Sequence, residues 1–384
     1  MTVETEHVES LREVASSTDT GSRAKVGRIA SLDWIRGWFL CGSVATVSLL
    51  APRPAALQHA QWIGVTVEDL IFPLFVTLSG CGLAFAYRNS VGWSATLRRS
   101  VVLLACGLAY NVVAAGSLDL SALRWTGALQ VYAVLVLVIG LLHLVARGPA
   151  AWAAVTGVVA LGQATLLFVW QSGCAGGQLS PECNPSGVID LALLGEAHMY
   201  AAGALGHDPE GVMGVLGALV TACAGATAGH LALKARGGRR GPALLLAWAA
   251  AVAVAAVAAE QMLPMMKRLW TTPFALGVAA LGIVALAVGM AILDLPAGRR
   301  WQAVRSRLAW LHVGMGRNSL LVYFGSHLLL LVLLTRGGDP SWAYDVAEAV
   351  DLIDNPQASL VIVMVLGWVA IAAVLHRWRI YLRP

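Results

Sequence analysis

The chain has 384 residues, of which 58% are hydrophobic and 12% charged, with a mean hydropathy of +0.73. That balance excludes an ordinary water-soluble globular domain. The net charge of +5 does not point to nucleic acid: twenty of the 26 Lys and Arg residues fall in segments expected on the cytoplasmic side and five in external ones, with Arg36 inside a span, which is the bias that membrane insertion imposes.

Apolar windows of about 20 residues recur along the chain, the length an α-helix needs to cross a bilayer. They predict ten spans at roughly 29–50, 67–87, 100–116, 126–146, 151–170, 212–233, 242–262, 273–293, 318–335 and 359–376. The expected fold is an all-α transmembrane bundle with both termini cytoplasmic. Residues 1–28 are polar and mixed in charge, without an apolar core, and read as a disordered cytoplasmic tail rather than a cleaved signal. Residues 29–384 then form one transmembrane domain, with a long external segment at 171–211.

In chain order, Ser31-Leu32-Asp33-Trp34-Ile35-Arg36-Gly37 opens the first span. Asp33 and Arg36 are three apart and can pair on one helix face. A structural ion pair is the heavier reading; the other puts Arg36 beside a cytoplasmic anion such as a nucleotide phosphate. Next, His59, Glu68 and Asp69 stand at the mouth of the second span, where titratable groups are costly. Thr66-x-x-Asp69 can form a capping box, which accounts for the two acids but leaves His59 over, with Trp62 following it. Phe72-Pro73 signals a kink, and Ser79-Gly80-Cys81-Gly82 a close helix approach.

Further along, Arg124 precedes the fourth span and Gln130 lies one turn into it. Cys174 and Cys183 fall outside the membrane, where a disulfide would persist, though spacing leaves the pairing open. Cys41, Cys81, Cys106 and Cys223 lie in spans and are expected to pack as small apolar groups. Asp190, Glu196, His198, His207, Asp208 and Glu210 crowd the external segment in no usual metal-ligand spacing. Asp208-Pro209-Glu210-Gly211 reads as the start of the sixth span and Gly316-Arg317-Asn318-Ser319 as that of the ninth. No nucleophile elbow, phosphate loop or HExxH motif occurs.

Taken together, SLDWIRG, HAQWIGVTVEDLIFPLF, LRWTGALQ, VIDLALLGEAHMY, DPEG, MKRLWTTPF and GRNSLLVYF, in this order, resemble the heparan-α-glucosaminide N-acetyltransferase family and its bacterial relatives. The resemblance implies a polytopic acyltransferase that carries acetyl from cytosolic acetyl-CoA to an amino sugar or glycan on the far side. It implies His59 and Asp69 as catalytic residues, Arg36 and Asn318 toward acetyl-CoA, and Trp62, Arg124 and Gln130 toward the acceptor. Neutral imidazole is what either role of His59 requires, as base or as transient acyl carrier. The expected setting is a bacterial inner membrane, among lipid, with a homodimer left open and no metal. At two positions the chain departs from the family pattern: Val47-Ser48 stands where an asparagine is usual, and Ile63 replaces the asparagine after Trp62. A transporter or flippase-like permease, or a non-catalytic relative, is the alternative reading.

Overall fold

The computed structural model describes residues 29–235, 238–296, 298–338 and 340–382. The tail expected over residues 1–28 lies outside them. Among the described residues the regular structure is helical, with only two isolated β-bridges. The α-helices in chain order begin with α1 (Ala30–Val47), α2 (Val67–Ala86), α3 (Trp93–Ala115), α4 (Ala128–Val145) and α5 (Pro149–Ser172). They continue with α6 (Pro185–Leu194), α7 (Val212–Lys234), α8 (Arg240–Glu260) and α9 (Thr272–Leu293). The last four are α10 (Arg299–Arg317), α11 (Ser319–Thr335), α12 (Trp342–Ala349) and α13 (Pro356–Arg377).

The all-α, multi-pass architecture is as expected. Eight of these helices (α2–α5, α7–α9 and α13) are long and apolar enough to span a membrane. The expected ninth span is α11, which bends by 68° from α10 at Asn318; taken as one span, the pair brings the number to nine. Helix α1 coincides with the expected first span, but Asp33 and Arg36 hold its hydropathy below that of the others.

Small residues set the centre of the bundle. Helices α2 and α7 approach so closely that a Cβ on Gly80 would run into the Ala222 carbonyl, and one on Gly225 into that of Thr77. Without a hydrophobic driving force between helices in lipid, such backbone-level contact is what holds a pair together. Helix α9 packs on the same side, where Gly282 meets the Thr77 side chain. On the far side of α1, Gly37 and Gly316 bring α1 and α10 together in the same way. Helix α2 runs through Pro73 as one element.

Two local expectations need correction or completion. Helix α7 begins at Val212 with Gly211 as its N-cap, so Asp208-Pro209-Glu210-Gly211 forms the turn before it and not its first turn. The reason is that the Asp208 carboxylate is held elsewhere, while Oδ1 of Asp190 accepts from Val212 N at 2.8 Å and takes over the capping role. Cys174 and Cys183 form the disulfide that spacing left open.

Gly225→Val places two methyl groups against the Thr77 carbonyl and is expected to cost about 1–3 kcal/mol or more, as overpacking does. Gly157→Ala on α5, where nothing lies within 4 Å, is the control. Thermal unfolding in detergent should drop for the first variant and hold for the second.

Candidate active site

The site starts from one carboxylate. Asp69 has 1% of its surface exposed and takes four hydrogen bonds. Oδ2 accepts from Thr66 N at 3.0 Å and from the Thr66 hydroxyl at 3.0 Å, forming the expected capping box of α2, and from Ala60 N at 3.1 Å. Oδ1 lies 2.8 Å from Nδ1 of His59. The capping acid and the histidine beyond the cap are therefore one unit. With Nδ1–H donated to Asp69, Nε2 of His59 carries the lone pair. The imidazole is 45% exposed, and Oε1 of Glu68, itself bonded by Arg53 at 3.3 Å, lies 3.8 Å from Nε2.

His59 borders a cavity of about 220 Å³. Its polar wall is a network drawn from three loops. Nη2 of Arg124 donates to Asp208 Oδ1 at 3.0 Å and to Glu210 Oε2 at 2.8 Å, and Lys267 donates to Glu210 Oε1 at 3.4 Å. Thr126 donates to Asp208 Oδ2 at 2.6 Å, and the Arg124 guanidinium lies 4.6 Å from the Tyr200 ring centre. Burial alone would raise the Glu210 carboxyl, but Lys267 and Arg124 outweigh it and bring it down to about 2. Gln130 borders the same cavity at 7% exposure, with room made for it by Gly107 and Gly127.

A second cavity, of about 200 Å³, lies toward the opposite end of the bundle. Arg36, Arg99 and Arg317 border it. Arg36 donates to the Leu78 carbonyl at 2.9 Å through the gap left by Gly82, and lies 3.7 Å from Asp33, as the i,i+3 spacing predicts. Asp33 is shared with Arg317 at 3.4 Å. Leu129 and Tyr323 line both cavities and so form a common partition between the His59 end and the arginine end.

Residues 28–171 match a sequence model described as heparan-alpha-glucosaminide N-acetyltransferase, catalytic. The Homo sapiens protein named heparan-alpha-glucosaminide N-acetyltransferase is 24% identical over 359 residues, covering 78% of this chain and 52% of its own. Its Mus musculus counterpart is 23% identical over 367 residues, covering 80% and 54%. Over these stretches the chain is similar to proteins of that name. It spans about half the length of these curated relatives.

The heparan-α-glucosaminide N-acetyltransferase match covers His59, Asp69, Arg36, Arg124 and Gln130, while Glu210 and Lys267 of the first cavity, Arg317 and Ser319 of the second, and Tyr323 of both lie beyond it. His59, Arg124 and Gln130 meet in one cavity and Arg36 in the other. Trp62 does not border the first cavity: its indole N–H donates to the Leu179 carbonyl at 2.9 Å and its ring packs edge-on against His207, tying the His59 loop to the disulfide loop. Asn318 is fully buried at the α10–α11 bend. Its amide N–H₂ donates to the Gly314 carbonyl and its oxygen accepts from Leu382 N at 3.1 Å, while Ser319 borders the cavity in its place. Ser48 donates its hydroxyl to the Val44 carbonyl of its own helix. Arg317, Lys267 and Tyr323 were not among the residues given a role from the sequence, although all three stand in motifs quoted there, GRNSLLVYF and MKRLWTTPF. Among the described residues no group of three or more His, Cys, Asp or Glu could hold a metal.

The depressed Glu210 carboxyl makes a pH prediction. A carboxylate with a lowered folded-state pKa stabilises the fold above its ordinary value, and that contribution disappears as pH falls through the folded value. The unfolding temperature of the wild type should fall between pH 4.5 and about 2 more steeply than that of Glu210→Gln. Parallel profiles would contradict the Arg124–Glu210–Lys267 assignment.

Proposed function

We propose that the chain is a membrane acyltransferase that takes acetyl from acetyl-CoA at the arginine end and delivers it to an amino sugar or related acceptor at the His59 end. The observation that carries this reading is the His59–Asp69 pair at a cavity that shares Leu129 and Tyr323 with a second, arginine-bordered cavity. The kinship with the N-acetyltransferases supports the same chemistry. Two independent signs orient the protein. The surplus of basic residues at the arginine end supports a cytoplasmic location for it. The Cys174–Cys183 disulfide, joined to the His59 loop through Trp62 and Leu179, supports an oxidising compartment at the other end.

The donor set of the second cavity suits CoA. Three guanidiniums offer bidentate donors for its phosphates, and the apolar stretch through Leu40, Phe75 and Leu103 suits the pantetheine arm. At the partition the thioester carbonyl meets the acceptor amine. Nε2 of His59 removes a proton from the amine as the C–N bond forms; the C–S bond breaks, and the departing thiolate takes up a proton. Asp69 fixes the tautomer that leaves Nε2 free to act and stabilises the imidazolium that follows. If the imidazole first accepts the acetyl group itself, the same lone pair makes the attack. Arg124, Glu210 and Lys267 offer a polar, charged floor for a hydroxyl-rich acceptor.

With labelled acetyl-CoA and a panel of amino sugars, His59→Ala should abolish transfer, and Asp69→Asn should lower kcat about 10²–10⁴-fold with little change in KM. Arg36→Gln should instead raise the KM for acetyl-CoA and leave that for the acceptor. Undiminished transfer by His59→Ala, or acceptor movement without consumption of acetyl-CoA, would overturn the reading.

A further inference from the structure

A third cavity, of about 640 Å³, opens where α2, α4 and α7 end on the arginine side. It has no lining residue in common with either cavity described above. Two histidines meet at it. Nε2 of His143 on α4 lies 3.2 Å from Nε2 of His230 on α7. Nδ1 of His143 is 2.8 Å from the Ile139 carbonyl, so that nitrogen donates, and Nε2 accepts the proton carried by His230. The rings of Trp152 and Tyr87 close around His143 at 4.4 and 5.2 Å. One turn beyond each histidine stands a cation, Arg147 after His143 and Lys234 after His230, and Arg88 follows α2.

Arg88, Arg147 and Lys234 line this cavity with no carboxylate among its lining residues, and among the described residues none of the three makes an ion pair. In the first cavity Arg124 pairs with Asp208 and Glu210, and Lys267 with Glu210; at the second, whose lining also lacks a carboxylate, Arg36 and Arg317 both pair with Asp33. One cation at each helix C-terminus offsets that helix's dipole. Three around a single concavity, above a polar imidazole pair, leave positive charge for an anion to neutralise. Val91, Leu144 and Leu233 supply an apolar flank beside it. A concentrated anionic group on an apolar stem fits both halves.

We propose that this cavity binds the phosphate headgroup of an acidic phospholipid from the leaflet at the arginine end. The phosphate lies among Arg88, Arg147 and Lys234, and the acyl chains run out along Val91, Leu144 and Leu233. The binding chemistry is that of a phosphate ester, which a soluble phosphate also carries; the apolar flank and the position at the helix ends favour the lipid. This site is independent of acyl transfer.

The test uses the full chain in detergent, with thermal unfolding followed as phosphatidylglycerol, phosphatidylcholine, inorganic phosphate or CoA is added. Phosphatidylglycerol should stabilise the wild type saturably, and phosphatidylcholine and inorganic phosphate should not. In Arg147→Gln/Lys234→Gln, two exposed positions, half-saturation should move about 25-fold higher, at about fivefold per cation near a membrane surface. Whatever shift CoA gives should be the same in both proteins. An unchanged phosphatidylglycerol response in the variant, or an equal response to phosphatidylcholine, overturns the site. Equal stabilisation by inorganic phosphate overturns the lipid assignment, and a CoA response lost in the variant overturns its independence of the second cavity.

Discussion

The structure turns on a carboxylate that has left water. Asp69 sits fully buried at the start of α2, and an ion in that position persists only if its lone pairs are taken up. Its two oxygens divide the task. One closes the end of the helix through Thr66 and Ala60, and the other fixes the His59 ring. Helix capping and imidazole orientation are consequently inseparable: the geometry that begins α2 also decides which nitrogen of His59 faces the cavity. Because α2 is clamped against α7 by Gly80 and Gly225, the anchor of the histidine is itself rigid.

The same rule of compensated charge runs through both ends of the bundle. At the His59 end, Glu210 bridges Arg124 and Lys267, and Asp208 accepts from Arg124 Nη2, the Thr126 hydroxyl and the Tyr200 backbone N–H. At the opposite end, Asp33 holds Arg36 and Arg317, drawing α1 and α10 into one wall. Between the two, Leu129 and Tyr323 line both cavities, and it is there that the proposed reading has the acetyl group pass. At the third cavity Arg88, Arg147 and Lys234 make no ion pair among the described residues, which is why a ligand is assigned to it.

What the sequence could reveal follows from how local each interaction is. The capping box of Thr66 and Asp69 and the pairing of Asp33 with Arg36 involve residues three apart, so spacing was enough. The apolar windows located the helices for the same reason. The contact of His59 with Asp69 was harder, since the two are ten positions apart with an irregular loop between them. Asp190 capping α7 from 22 residues away, Lys267 reaching Glu210 and Arg317 reaching Asp33 depend on how helices dock, which no periodicity encodes. Asn318, a polar residue in a conspicuous motif, is placed by the structure at a 68° bend, where its amide bonds the Gly314 carbonyl and Leu382 N. Trp62 braces a loop and lines neither of the two cavities at the His59 and arginine ends. Motif membership marks positions that matter without saying whether they meet substrate or backbone.

The most direct test is of sidedness. The protein is reconstituted in sealed vesicles of defined orientation, with labelled acetyl-CoA supplied on one face only and an amino-sugar acceptor confined to the other. Transfer is predicted when acetyl-CoA is on the Arg36 face and the acceptor on the His59 face, with no product when the two are exchanged. Product that forms only when donor and acceptor share one face would contradict the passage of an acetyl group between the two cavities.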